Sequence, residues 1–140
     1  MARRRRGTQD PPPQRLILDA GAVIALSRAD QRARAVLAAA REAHVHVSIP
    51  SVVVAETVRG AAADAPVNRV LNAVGEVDAA DEAIGRTAGR LLGEAGSSAT
   101  VDAVVVATAV EAGGAVVLTG DPDDLSVLAD GHRDVVIEAL

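Results

Sequence analysis

Thr100-Val101-Asp102-Ala103-Val104-Val105-Val106-Ala107-Thr108-Ala109-Val110 is a helix-length run of alanine and valine with one charge, Asp102, near its start. The run stops at Gly113-Gly114, and Ala115 to Leu118 then form a short continuous apolar segment, followed after Thr119-Gly120 by Asp121. A buried helix returning the chain to a buried strand is the repeating unit of a parallel sheet, whose strands are covered on both faces. A carboxylate is rarely buried alone, because desolvating its charge is costly. Asp102 must therefore cap its helix, pair with a base or hold a metal.

Working outward, Leu16-Ile17-Leu18, ending at Asp19, reads as a second buried strand. Ala20 to Arg28 has helical character, and Asp30 is placed to cap a helix through Glu42. His44-Val45-His46-Val47-Ser48-Ile49 alternates as a strand with one wetter face. Pro50 fits the first position of a helix that runs to Arg59 and closes at Gly60. Residues 66–74 read as a short helix, Gly75 to Asp78 as a small strand, and Asp81 to Glu94 as a helix closed by Gly96. Asp121-Pro122-Asp123-Asp124 form a turn that opens a short helix, and Asp134 to Ile137 a last strand. Strands alternating with helices predict one α/β domain with a mainly parallel central sheet, assigned to residues 15–140.

Composition excludes several classes of function. None of the 140 residues is aromatic, so the core must be built from Val, Ala, Leu and Ile, and nucleic acid cannot be bound on aromatic stacking platforms. The absence of cysteine excludes disulfides, zinc–thiolate sites and thiol nucleophiles. No apolar run is long enough for a membrane span, and the arginine run near the start is not followed by the apolar segment of a secretory signal. A reducing cytoplasm is the expected compartment. Residues 1–14, with Arg3 to Arg6 and Pro11-Pro12-Pro13, read as a disordered tail, either merely solvated or an electrostatic arm for RNA phosphates. Residues 16–140 carry nine arginines against 18 acids, a body that suits a basic partner and repels nucleic acid unless cations neutralise it.

Four acids end or enter apolar segments: Asp19, Glu56 in Val52-Val53-Val54-Ala55-Glu56, Asp102 and Asp121. Ligands of open parallel sheets bind beyond the carboxyl ends of the strands, where Asp19 and Asp121 project and where the Asp102 helix begins. Like charges gathered there would raise each other's pKa and strain the fold, and divalent cations would offset this. All-oxygen ligands without His or Cys point to Mg²⁺ or Mn²⁺, in a site able to activate water against a phosphodiester.

The chain resembles the PIN-domain ribonucleases, and among them the VapC-type toxins of toxin–antitoxin pairs. The matching residues are Leu18-Asp19-Ala20-Gly21-Ala22-Val23-Ile24-Ala25-Leu26, Val54-Ala55-Glu56-Thr57-Val58-Arg59-Gly60, Asp102-Ala103-Val104-Val105-Val106-Ala107-Thr108-Ala109 and Leu118-Thr119-Gly120-Asp121-Pro122-Asp123-Asp124-Leu125. The resemblance spans about residues 15–138. It implies a PIN-like three-layer α/β sandwich, with a mainly parallel sheet flanked by helices. By it, Asp19, Glu56, Asp102 and Asp121 are the metal-binding acids, and Thr119 is the hydroxyl that accompanies the last of them. It further implies hydrolytic RNA cleavage with Mg²⁺ or Mn²⁺, a homodimer, and silencing by a cognate VapB-like antitoxin whose basic segment enters the acidic site. The alternatives are a PIN nuclease of RNA processing without an antitoxin, or a lapsed PIN module that only binds a partner. The chain departs from the family pattern at Gly21, where Ser, Thr or Asn is usual, and at Ala99, where many relatives carry an acid. Both departures bear on a second metal.

Set against these readings, Asp102 is also placed as a first-turn acid, Asp121 as a turn residue, and Asp123 and Asp124 as first-turn helix acids rather than ligands, with a secondary role at the site as the alternative for Asp124. His44 and His46 read as solvated strand residues, for want of a third zinc ligand nearby. Arg59 suits a phosphate or antitoxin contact as well as an exposed helix end. There is no Gly-x-Ser-x-Gly, Gly-x-Gly-x-x-Gly or P-loop. The absence of lysine counts against receiver domains and aspartyl phosphatases, which generally use one near the phosphoryl group.

Overall fold

Leu16, Ile17 and Leu18 form the strand expected of a continuous apolar run, β1 (Arg15–Leu18), and are all buried. They lie in the computed structural model of the chain, which describes residues 15–140. The tail read at residues 1–14 falls outside the described residues. On one side β1 pairs with β2 (His46–Pro50), with Ile17 opposite Ser48; on the other it pairs with β4 (Ala115–Thr119), with Leu18 opposite Leu118. The short β3 (Val77–Asp78) extends the sheet beyond β2, and β5 (Val135–Ala139) extends it beyond β4. The order is β3-β2-β1-β4-β5 and every pairing is parallel. This is the parallel α/β sheet, flanked by helices, that the sequence predicts.

The helices are α1 (Ala20–Ser27), α2 (Gln31–Glu42), α3 (Ser51–Thr57), α4 (Ala65–Val74), α5 (Glu82–Ala95), α6 (Thr100–Glu111) and α7 (Pro122–Leu128). Their ends follow local chemistry. The carboxylates of Asp30 and Asp81 accept from Ala33 N and Ile84 N, and Gly75 and Gly96 end α4 and α5 in left-handed conformations. Helix α5 buries Ile84, Thr87, Ala88 and Leu91, a stripe at i, i+3, i+4 and i+7, while α6 is buried over most of Ala103 to Ala109. With no aromatic ring to fill space, the small side chains of Ala103, Ala107 and Ala109 let the backbone of α6 approach its neighbours closely.

Two predicted boundaries are corrected. His44 is outside the β2 strand: it stands exposed in a turn at φ 57°, so the two histidines do not share a strand face. The helix expected from Pro50 to Arg59 is shorter at both ends, because Pro50 keeps the extended backbone of β2 (ψ 145°) and α3 stops at Thr57. Past Thr57, Val58 turns extended, and the buried Asp64 carboxylate gathers the N–H groups of Arg59, Gly60 and Ala61 at 2.9, 2.7 and 3.0 Å. Those donors, Ala61 and Arg59 foremost, hold its pKa below the ordinary 3.8. A lowered carboxylate pKa stabilises the fold above the unfolded value and loses that contribution as pH falls through the folded one. Asp64→Ala is therefore expected to melt earlier than wild type at neutral pH, with the gap closing well below pH 3.8. Thermal melts at both conditions check this.

Candidate functional site

The order of the sheet places the site. The chain runs from β1 outward through β2 and β3, then returns to lay β4 against the opposite side of β1. At such a switch point the carboxyl ends of the two central strands bound a crevice. Asp19 follows β1 directly, and Thr119 ends β4.

Asp19 is buried and caps α1, its Oδ1 accepting from Ala22 N at 3.0 Å. Its Oδ2 accepts from the fully buried Thr119 hydroxyl, whose oxygen in turn accepts from Asp121 N at 2.8 Å. One side chain thus ties the acid after β1 to the backbone of the acid after β4. Burial raises the Asp19 pKa, and the Thr119 hydroxyl with the backbone N–H groups of Ala22, Gly120 and Gly21 draws it back.

Across the crevice, Asp102 occupies the first turn of α6 and is half-buried; the cap position belongs to Ala99, which offers no side-chain hydrogen bond. Asp121 precedes α7, and Asp124 lies in its first turn. Carboxylate oxygens of Asp102, Asp121 and Asp124 all lie within 4.8 Å of one another, one such cluster among the described residues. Burial raises the Asp102 pKa first, and the charges of Asp121, Asp124 and Asp19 add to it. Asp121 is raised chiefly by its hydrogen bond with Asp124, then by burial and by the charges of Asp124, Asp19 and Asp123. Glu56, exposed on α3, is raised by burial and then by Asp102 and Asp19.

Of the four acids singled out in the sequence, Asp19 and Asp102 lie within electrostatic range of each other and of both Glu56 and Asp121, but the four are unequally placed. Asp102 and Asp121 meet closely, Asp19 sits behind them in a cage of donors, and Glu56 stands at the rim outside the tight group. Asp124, read from the sequence first as a first-turn acid and only secondarily as a site residue, completes that group. Its spacing of three from Asp121 at a helix start was the available signal, since i and i+3 share a helix face. Arg59 folds back on the carbonyls of Ala55 and Val58, both near 3 Å, as a helix-end arginine does.

Among the described residues, none of these five carboxylates forms an ion pair with an arginine or histidine. Clustered oxygen donors without a basic partner among the described residues fit a hard divalent cation. A second feature lies apart from them: a groove of about 800 Å³ whose apolar lining includes Leu37, Val70 and Val74, bordered by Arg34, Arg41 and Arg69. The apolar stripe of α4, Val67, Val70, Leu71 and Val74 at i, i+3, i+4 and i+7, was the available signal, since two of its members line the groove.

The fold and site together define an α/β domain with an acidic cluster at the switch point of a parallel sheet. The family model of the PIN domain matches residues 16–130, and the chain belongs to the PIN-domain family, whose members are generally nucleases. A solved toxin–antitoxin complex from Klebsiella pneumoniae is similar at 21% identity and a TM-score of 0.66, over 86% of this chain and 95% of that one. A structure of FitAB bound to an IR36 DNA fragment is similar at 19% identity and a TM-score of 0.64, over 89% and 94%. At these identities the likeness is one of fold. No curated protein matches the chain in sequence. No described helix is long and apolar enough to cross a membrane.

Proposed function

We propose that the chain is a Mg²⁺- or Mn²⁺-dependent endoribonuclease that hydrolyses RNA phosphodiester bonds, and that it is the toxin of a VapBC-type toxin–antitoxin pair. The observation that carries the reading is the meeting of Asp102, Asp121 and Asp124 beside Asp19, without a basic partner among the described residues, in a PIN domain. Asp19, Glu56, Asp102 and Asp121 would hold the metal, joined by Asp124. When bound, the cation supplies Lewis acidity at the phosphoryl group and lowers the pKa of water.

The chain's own residues prepare that chemistry. Thr119 orients Asp19 through its hydroxyl and fixes the backbone of Asp121, so both carboxylates enter the site pre-set. Glu56, exposed on α3 within electrostatic range of Asp102 and Asp19, would add its carboxylate to theirs from the edge of the group. The acidic crevice repels bare phosphate, so RNA binding is coupled to cation binding. With no aromatic residue, the domain engages RNA by shape and charge, which favours a folded target.

A cognate antitoxin fits two surfaces: a basic segment in the acidic crevice, and an apolar helix with acidic flanks in the arginine-bordered groove. The resemblance to VapC-type toxins adds a homodimer and a cytoplasmic site of action. Reversing two groove charges, Arg34→Glu with Arg69→Glu, is expected to weaken capture of the protein encoded by an adjacent small reading frame about tenfold or more. RNA cleavage by that variant stays at the wild-type rate. The test of the nuclease itself is incubation of purified protein with total RNA in Mn²⁺, Mg²⁺ or EDTA. Discrete fragments formed only with metal support the reading. Intact RNA in all three, from folded protein that binds no Mn²⁺, overturns it.

A further inference from the structure

We propose that Gly21 is a positioning residue of the acidic crevice: its missing side chain lets the first turn of α1 touch the backbone of Gly120, and this contact sets Asp19 against Asp121. The proposal rests on the nuclease reading for its consequence in catalysis and on geometry for its cause. A Cβ added at residue 21 would lie 2.9 Å from Gly120 N, 3.0 Å from Gly120 Cα and 3.4 Å from Asp19 Oδ1. The first two are backbone atoms and cannot swing aside as a side-chain tip would.

They are also held from both sides. Thr119 is anchored in β4 and bonded to Asp19, while Asp121 N is bonded back to Thr119. Gly21 is not among the glycines with positive φ, so its conformation is open to any residue; what requires glycine is space. A glycine within a helix costs roughly 0.5–1 kcal/mol relative to alanine, and here that cost falls in the turn directly after Asp19. The atom a Cβ would strike is the Gly120 nitrogen, whose N–H helps ease the Asp19 charge. A side chain at 21 would cover that donor and wedge the two acid-bearing segments apart. The departure from the Ser, Thr or Asn usual in the family is thus matched in this chain by the close approach of Gly120. Gly120 itself is under no such constraint: a Cβ there would meet Gly21 Cα at 3.5 Å and Leu140 Cδ1 at 3.6 Å, ordinary contacts.

The experiment is calorimetric titration of Mn²⁺ into the wild-type chain, Gly21→Ala and Gly120→Ala, with kcat and KM for RNA cleavage measured alongside. Gly21→Ala is expected to bind Mn²⁺ about tenfold or more weakly, the loss typical of a displaced supporting contact, and to lose kcat at little-changed KM. Its metal-free melting temperature falls less than the clash alone would cause, since the gain in helix propensity offsets part of the strain. Gly120→Ala stays within about twofold of wild type in both measurements, a change too small to signal a lost supporting contact. Wild-type Mn²⁺ affinity and kcat in folded Gly21→Ala overturn the inference and leave the nuclease reading standing. Should Gly21→Ala fail to fold, Gly120→Val presses on the same contact from the other side; weakened Mn²⁺ binding supports the inference and unchanged binding overturns it. Absence of Mn²⁺ binding by the wild-type chain overturns the nuclease reading and this inference with it.

Discussion

Asp102→Asn is expected to reduce RNA cleavage more than about 100-fold, beyond the usual cost of losing an outer partner of a metal site. The change keeps the size and shape of the side chain and removes one charge from the crowded crevice. It therefore separates chemistry from folding. Asp102 carries a pKa raised by burial and by the charges of Asp121, Asp124 and Asp19. A raised carboxylate pKa means that ionisation opposes folding: the penalty is fully present above the folded pKa and absent below the unfolded one. In the absence of metal, the neutral asparagine is thus expected to melt at or above the wild-type temperature near neutral pH. Added Mn²⁺ is expected to raise the melting temperature of the wild type and to do so far less for the variant, because only a ligand that binds the folded state shifts the equilibrium. Cleavage assays and thermal melts with and without Mn²⁺ check both halves. A variant that cleaves at the wild-type rate removes Asp102 from the site.

Thr119→Val is expected to be nearly as severe for a different reason. Valine matches threonine in shape, so the core around β4 stays filled while two hydrogen bonds disappear. The buried Asp19 carboxylate loses its hydroxyl donor, and Asp121 N loses its acceptor. Each group left unsatisfied in this way costs about 1–3 kcal/mol, and at about 3–4 °C per kcal/mol for a domain of this size the melting temperature falls by roughly 6 °C or more. Cleavage is expected to drop about 10–100-fold through misplacement of Asp19 and Asp121. Without the Thr119 hydroxyl, burial pushes the Asp19 pKa further up, so the acidic limb of the rate profile moves to higher pH. Thr119→Ser, which keeps the hydroxyl, is expected to recover most of the rate and the profile. A pH–rate series on the three proteins decides between this positioning role and simple packing.

The parallel sheet was legible because its strands announce themselves locally. Leu16-Ile17-Leu18 and Ala115 to Leu118 are continuous apolar runs, and Asp81 with Gly96 marks both ends of α5. The acids at strand ends could be singled out for the same reason, each being an anomaly beside buried residues. The end of α3 was not legible, because it is set by Asp64, an acid that only the folded loop turns toward three backbone donors. His44 was misread because alternation over six residues cannot tell a strand residue from the turn that feeds it.

By itself, then, the sequence determined the elements, their order and which acids were out of place, since hydrophobic periodicity, caps and glycine stops act over a few neighbouring residues. Only the tertiary structure decided how those acids are arranged around one another. Asp124 joins the cluster while Glu56 stands at its rim, Thr119 bridges Asp19 to Asp121, and Gly21 lies against Gly120. Each of these contacts joins segments about a hundred residues apart or depends on a helix being set at one particular angle. Their energies are fixed by ångström-scale distances that no local pattern encodes.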